Sequence, residues 1–281
     1  MPSTPMLLKA KSVEEEIYSR IRAQLKTLSV KPTLATVLVG EDSGSQVYVR
    51  KKGEMCIGLG MGHRDFKLPA TTAQKELLKI VDELNEDRSV HGILVQRPLP
   101  RGLDETEIFD RISAKKDVDC FSPENVGLLS QGRPRFLPCT PAGIMEIFRH
   151  YKIDIAGKNA LVIGRSDIVG KPMSMLLLQA NATVTIAHSR TNDLASHVAA
   201  ADIVIAAIGR AKFLTADLPW KKSAVIIDVG MNRDPVTQKL CGDVDFEKVS
   251  ALVSAITPVP GGVGPMTIAM LMQNTLRAAL N

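Results

Sequence analysis

With 281 residues, 45% of them hydrophobic, the chain can bury a large core and, at roughly 100–200 residues per domain, predicts two domains. Lys and Arg total 35 against 30 acidic residues, but these charges are scattered and aromatics make up only 4%; this suits an anionic small molecule and argues against nucleic acid as a partner. The 4 cysteines form no Cys-x-x-Cys pair and the 5 histidines show no close ligand spacing, so neither a disulfide framework nor a metal site is expected.

No apolar run approaches the ~20 residues of a membrane helix, and Met1 to Lys9 lacks the long apolar core of a secretion signal. The expectation is a soluble cytoplasmic protein without a membrane partner. Strand-type and helix-type segments alternate, the pattern of an α/β protein with a parallel sheet covered on both faces. Leu34 to Val39 reads as a strand stopped by Gly40, and a helix follows the glycine-bearing segment Gly40 to Gly44. That helix carries Tyr48 and Lys52 four positions apart, with Ser45 one turn earlier, so a phenol and an amine share one face near a strand's end. An ordinary amphipathic helix, with Tyr48 half-buried and Lys52 in solvent, fits the same spacing.

Thr71-Thr72-Ala73-Gln74 predicts a helix opened by capping residues, with Leu77, Leu78, Val81 and Leu84 on its apolar face. His91 to Gln96 reads as the next strand, ended by Pro98 and Pro100, which puts Gln96 at a carboxyl edge on the side of the Tyr48 helix. Gln96 can equally satisfy strand-end backbone groups. At Cys139-Thr140-Pro141 a new helix is expected, with Thr140 as its cap, and the domain boundary falls nearby. From Asn159 the order is strand (160–163), glycine turn, helix, strand (183–187), helix, strand (202–208) and strand (224–229), half or more of a dinucleotide fold. A last helix, Thr267 to Leu280, follows the proline- and glycine-rich turn 257–265 and is expected to pack back on the first domain.

Gly164-Arg165-Ser166-Asp167-Ile168-Val169-Gly170 follows a strand and opens a helix, the setting of a phosphate-binding turn, although Ser166 stands where the fingerprint has its middle glycine. A tight turn holding no ligand has the same appearance. The next strand ends in His188-Ser189-Arg190-Thr191, without the carboxylate that would favour NAD. Ser189, Arg190 and Arg165 would instead welcome a 2′-phosphate, so NADP is the expected cofactor; the alternative for the arginines is a solvated rim.

Tyr48 to Lys52, Gln96, Lys116-Asp117-Val118-Asp119, the glycine turn and Pro258-Val-Pro-Gly-Gly-Val-Gly-Pro-Met-Thr267 occur in one order. In this the chain resembles the bifunctional methylenetetrahydrofolate dehydrogenase/cyclohydrolase family over nearly its whole length. The resemblance implies an N-terminal α/β/α substrate domain (1–139, joined by the C-terminal helix 266–281) and a Rossmann-type NADP domain (140–265). It implies oxidation of 5,10-methylenetetrahydrofolate by NADP, hydrolysis of the methenyl product to 10-formyltetrahydrofolate, and a homodimer through the Rossmann domains. Carried over, Lys52 is the catalytic amine, Gln96 its partner, Tyr48 the positioning phenol and Asp119 the pterin anchor; each is also expected to touch substrate. Partial burial and the adjacent cations Arg50 and Lys51 are expected to lower the Lys52 pKa.

Pro260, Gly261 and Gly262 resemble a loop that lets substrate or nicotinamide approach the backbone. Gly164, Arg165, Ser166, Val169, Gly170, Ser189, Arg190 and Gly230 resemble the cofactor-binding set. Departures from the family's commonest pattern are Arg97 in place of an apolar residue, Cys120 in place of glycine, where it would crowd the pterin edge, and Ser122 in place of histidine. The rival readings are a noncatalytic NADP- or folate-binding dimer and another amino-acid-dehydrogenase-like oxidoreductase, such as a shikimate-type enzyme.

Overall fold

The computed structural model describes residues 4–280. Its elements run β1 (Met6–Leu7), α1 (Ala10–Leu25), β2 (Thr33–Val39), α2 (Ser43–Leu59), β3 (Gly62–Leu68), α3 (Gln74–Glu86), β4 (Gly92–Val95), α4 (Glu105–Arg111), α5 (Pro123–Ser130) and α6 (Cys139–His150). They continue with β5 (Asn159–Ile163), α7 (Gly170–Gln179), β6 (Thr183–Ala187), α8 (Leu194–Ala200), β7 (Ile203–Ala206), β8 (Val225–Asp228), β9 (Asn232–Arg233), β10 (Leu240–Cys241), α9 (Phe246–Val249), β11 (Ala255–Ile256) and α10 (Val263–Ala278). Two compact units result: Glu16–Cys139 with the stretch from Ile268 onward, and the stretch through Glu15 with Thr140–Thr267.

The first unit is built on a parallel sheet of order β3-β2-β4. Alternation along β2 sends Ala35, Val37 and Val39 into one cluster with Ile93 and Val95 of β4 and Leu77, Val81 and Leu84 of α3, the apolar face expected from spacing. Leu34, Leu38 and Leu94, at the alternate positions, are also buried, so both faces of the sheet are covered. Cys56 of α2 meets Met272 of α10 at 3.4 Å, which ties the end of the chain into this unit. Strand β3 escapes the sequence reading because His63, Arg64 and Asp65 interrupt its apolar pattern, yet it pairs with β2 over its full length.

Both threonine caps expected from the sequence are absent. Helix α3 starts at Gln74 with Ala73 as its uncapped boundary residue, while the Thr72 hydroxyl donates to Pro69 O at 2.7 Å. Thr140 lies inside α6, its hydroxyl 2.9 Å from that of Thr267. In each case a nearer tertiary or turn partner outcompetes the helix N–H groups.

The second unit holds a six-stranded sheet of order β1-β11-β8-β7-β5-β6, parallel throughout. Its first strand comes from the chain's beginning: Met6-Leu7 pairs with Ala255-Ile256, which is why residues through Glu15 group here, whereas the sequence reading started its first domain at residue 1. Leu161, Ile163, Val204, Ala206 and Ile226 form the centre of the core with Val198 of α8 and Val249 of α9. β5 is flanked by β6 on one side and β7 on the other, so the strand order reverses there, the place where open α/β sheets bind ligands.

Two buried carboxylates organise the loops beyond these strands. Asp228, ending β8, accepts from the N–H groups of Gly230, Asp243 and Val244, each at 2.9 Å. Burial pushes its carboxyl up to about 7, against the pull of those three donors. Asp243 accepts from Ile208, Gly209 and Arg210 N–H and from Asn232 Nδ2, fixing the loop after β7. Gly242 is obligatory beside them, since a Cβ there would stand 1.8 Å from Asp228 Oδ2.

Candidate active site

Asp42 caps α2, its Oδ1 accepting from Ser45 N at 2.7 Å, and this starts the helix just beyond the carboxyl end of β2. One turn apart on that helix, Tyr48 is half-buried and Lys52 is buried, only 6% exposed. The solvated-lysine alternative therefore does not describe this helix. Lys52 Nζ donates to Gln96 Oε1 at 2.9 Å, and Gln96 Nε2 donates to Arg97 O at 2.6 Å. The second bond turns the amide so that its oxygen faces the amine. Gln96 sits just past β4, where its own N–H donates to Val37 O.

Asp119 reaches the same cluster from the segment beyond β4. Asp117 shapes that segment: its carboxylate accepts from Phe121 N, Ser122 N and Asn125 Nδ2. Asp119 takes the Cys139 thiol as a hydrogen-bond partner, and its charge interacts with that of Lys52. Asn274 of α10 then fixes both neighbouring strands of chain, donating to Val118 O and Leu137 O at 2.8 Å each. Cys139 and Asn274 were missed as site residues, because Cys139 reads as an ordinary helix start and Asn274 as one polar position in an apolar helix.

Burial lowers the Lys52 pKa from its ordinary 10.5, opposed first by Asp119 and then by Cys139. The adjacent cations expected to help do not: Arg50 and Lys51 point to solvent and Arg50 pairs with Glu54. Burial raises the Asp119 carboxyl, while Lys52 pulls it down. Burial alone raises the Tyr48 phenol. The result is a water-poor cluster in which an amine is more easily neutral than in solvent, beside an acceptor amide and a carboxylate.

The three residues expected to depart from the resembled pattern have physical roles. Arg97 pairs with Glu105 and lies over the Phe109 ring at 5.3 Å, so it is neither loose nor apolar. Cys120 has φ of 65°, a left-handed conformation that suits glycine, and its thiol turns away to Phe136 O at 3.4 Å. Ser122 caps α5, accepting from Asn125 N.

Within the second unit, Gly164 has φ of 132°, and a Cβ there would lie 2.1 Å from Ala207 O. This glycine lets the turn lie against the chain leaving β7, at the reversal point of the sheet. Gly170 packs against Gly164 O in the same way. Ser166 Oγ accepts from Val169 N at 3.2 Å and Gly170 N at 3.3 Å, so the serine in the glycine's place holds the turn that leads into α7. Pairing of Ile163 with Ala187 sets the 164–166 turn beside the 188–190 turn, where Arg165, Ser189 and Arg190 are all exposed. Among the described residues neither guanidinium has an ion pair. Gly230 packs on Asp243, where a Cβ would come within 2.4 Å of its N and Oδ1. Pro260, Gly261 and Gly262 belong to this unit, with Gly261 O accepting from Ala10 N. α10 starts at Val263, earlier than expected, drawing Gly264 and Pro265 into its first turn.

This inventory has counterparts among known proteins. Residues 8–119 match the tetrahydrofolate dehydrogenase/cyclohydrolase catalytic domain, and residues 138–281 match the NAD(P)-binding domain of the same enzymes. The chain belongs to the tetrahydrofolate dehydrogenase/cyclohydrolase family. The bifunctional protein FolD of Streptococcus pneumoniae is 57% identical over 94% of this chain and 95% of its own. The crystal structure of the bifunctional FolD enzyme from Campylobacter jejuni is 45% identical and superposes with a TM-score of 0.95 over 98% of this chain and 99% of its own. A Trypanosoma brucei FolD structure, solved with NADP cofactor and an inhibitor, is 36% identical with a TM-score of 0.92, covering 98% and 97% of the two chains.

Replacing Asp119 with Asn removes the largest influence that holds the Lys52 pKa up, so its ionisation falls further below 10.5. A side-chain nitrogen NMR titration of Lys52 in the ligand-free protein measures this; an unchanged or raised midpoint contradicts the pairing.

Proposed function

We infer that this protein is a bifunctional one-carbon folate enzyme. It oxidises 5,10-methylenetetrahydrofolate with NADP to the 5,10-methenyl form and hydrolyses that product to 10-formyltetrahydrofolate. The observation that carries the reading is the buried Lys52 amine bonded to Gln96 with Asp119 in the same cluster, in a chain of this family. Neither the noncatalytic-binder alternative nor another dehydrogenase class accounts for this set together with full-length likeness to FolD proteins.

The nucleotide-side residues fit NADP: the Gly164–Gly170 turn joins β5 to the start of α7, and Arg165, Ser189 and Arg190 offer cations and a hydroxyl with no carboxylate among them. We assign Gly164, Arg165, Ser166, Val169, Gly170, Ser189, Arg190 and Gly230 to its binding, the last through the loop it shapes. When bound, NADP supplies the hydride acceptor. The methylene carbon that loses hydride lies between two nitrogens whose lone pairs stabilise the cation, so this step needs alignment and no titrating residue. We assign alignment to Tyr48 and Asp119 on the substrate, Asp119 accepting from the pterin ring N–H and amino group, and to the backbone of Pro260, Gly261 and Gly262.

Hydrolysis makes different demands. Water adds to the methenyl carbon and loses a proton; the carbon then forms a C=O bond, its bond to N5 breaks, and N5 gains a proton. Lys52, made more easily neutral by burial, takes the first proton and returns the second, while Gln96 fixes the amine's direction. Lys52→Met accordingly lowers methenyl hydrolysis at least ~100-fold, the usual worth of general acid–base catalysis, and retains most NADP reduction. Reduced NADP and methenyl absorbance, followed separately, check this, and parallel loss of both in a folded variant refutes the division of labour.

Arg165→Ala with Arg190→Ala raises the KM for NADP by ~10–100-fold, as expected for losing charge-assisted hydrogen bonds of ~1.5–3 kcal/mol. Steady-state kinetics with NAD instead shows little change; equal losses with both cofactors would remove the 2′-phosphate assignment.

A homodimer through the second units belongs to the same proposal, supported by β6 at the sheet edge with Ile186 41% exposed and Leu178 of α7 65% exposed. Sedimentation at micromolar concentration yields twice the chain mass, and a monomer would overturn it. A cytoplasmic setting accords with four free cysteines. No described helix is long and apolar enough to cross a membrane.

A further inference from the structure

We propose that the first unit carries a second ligand site, an anion pocket at the amino edge of its sheet that takes a small molecule bearing clustered phosphates. A cavity of about 610 Å³ opens there, within the range of about 300–1,000 Å³ usual for small-molecule sites. Its walls include His91, just ahead of β4, whose Nδ1 accepts from Thr33 N at the start of β2. The pocket thus lies at the amino ends of the strands, whereas Gln96 follows their carboxyl ends.

Arg88, Lys115, Lys116, Arg135 and Arg277 line the cavity against one carboxylate, Glu86. Glu124 answers Arg135, and Asp87 is engaged by Arg64 and Ser89. Three positive charges remain uncompensated. The plain alternative is that these cations serve helix ends: Lys116 Nζ donates to Leu84 O and Asp87 O at the end of α3, and Arg277 stands in the last turn of α10. Each helix end supplies only about half a negative charge, so two of them offset roughly one of the three. Carbonyl bonds also leave the Lys116 ammonium charged and with a third N–H to donate.

Arg88 and Lys115 are exposed, and among the described residues neither side chain has a hydrogen bond or ion pair. The cations come from the loop after α3, the segment after α4, the segment after α5 and the end of α10. A ligand touching all of them needs several anionic oxygens spread over its length, and guanidinium forks favour phosphate.

The test is calorimetric titration with inorganic tripolyphosphate at low ionic strength. Wild-type protein, Arg88→Glu/Lys115→Glu and Arg165→Glu/Arg190→Glu are compared, with γ-linked pentaglutamate as a second probe. We expect Kd for tripolyphosphate to rise at least tenfold in the first variant while a site persists in the second, with pentaglutamate binding more weakly. NADP-dependent turnover in the first variant stays unchanged, which separates this site from the nucleotide turn and from the proposed activity. Loss of binding only in the Arg165/Arg190 variant, no binding by wild type, or pentaglutamate binding as tightly as tripolyphosphate would overturn the proposal.

Discussion

The removal of one lysine amine from water sets the terms for the first unit. An ammonium with no acceptor is costly in a poorly solvated interior, so Lys52 requires the Gln96 oxygen, the Asp119 charge, or loss of its proton. The surrounding chain is arranged around that requirement. Asp42 fixes where α2 begins, Arg97 O turns the Gln96 amide, Asp117 shapes the segment before Asp119, and Asn274 ties down the carbonyls on either side. Several different elements converge to hold one buried amine.

The second unit solves a different problem with similar means. A dinucleotide needs exposed N–H groups and positive charge at strand ends, which demands loops that hold their shape without covering the sheet edge. Asp228 and Asp243 achieve this from beneath, their carboxylates gathering N–H groups from the loops after β7 and β8. Gly164 and Gly242 leave the space in which these arrangements close. The cationic residues Arg165 and Arg190 then stand free at the rim, since none of this internal bonding engages their side chains.

Arg97, Cys120 and Ser122, unusual against the resembled pattern, each find a local partner. Cys120 adopts a glycine-like backbone, a conformation that costs a non-glycine residue roughly 1–2 kcal/mol, and it offsets part of this by burying its thiol against Phe136 O. Arg97 finds both a carboxylate and an aromatic face, so a charge next to the key glutamine is compensated where it stands. Ser122 becomes a helix cap.

Much of this was legible from one dimension. Apolar periodicity located β2, α3, β4 and the alternating strands and helices of the second unit, because burial on a regular element repeats at fixed intervals. Glycines at 164 and 170 and the Tyr48–Lys52 spacing marked a strand-to-helix turn and a shared helix face, because turns and helix faces are local geometry. Other features depended on which segments meet. The polar β3 exists because β2 offers it a partner; β1 joins the second unit by pairing with β11, nearly 250 residues away. Thr72 and Thr140 do not cap because closer partners take their hydroxyls. The acidity of Lys52 comes from burial, with Asp119 opposing it, and not from its sequence neighbours, and Cys139 and Asn274 enter the site only through the fold. Sequence determined the local elements and the chemistry available; desolvation and long-range hydrogen bonding, which depend on three-dimensional proximity, decided how that chemistry is tuned.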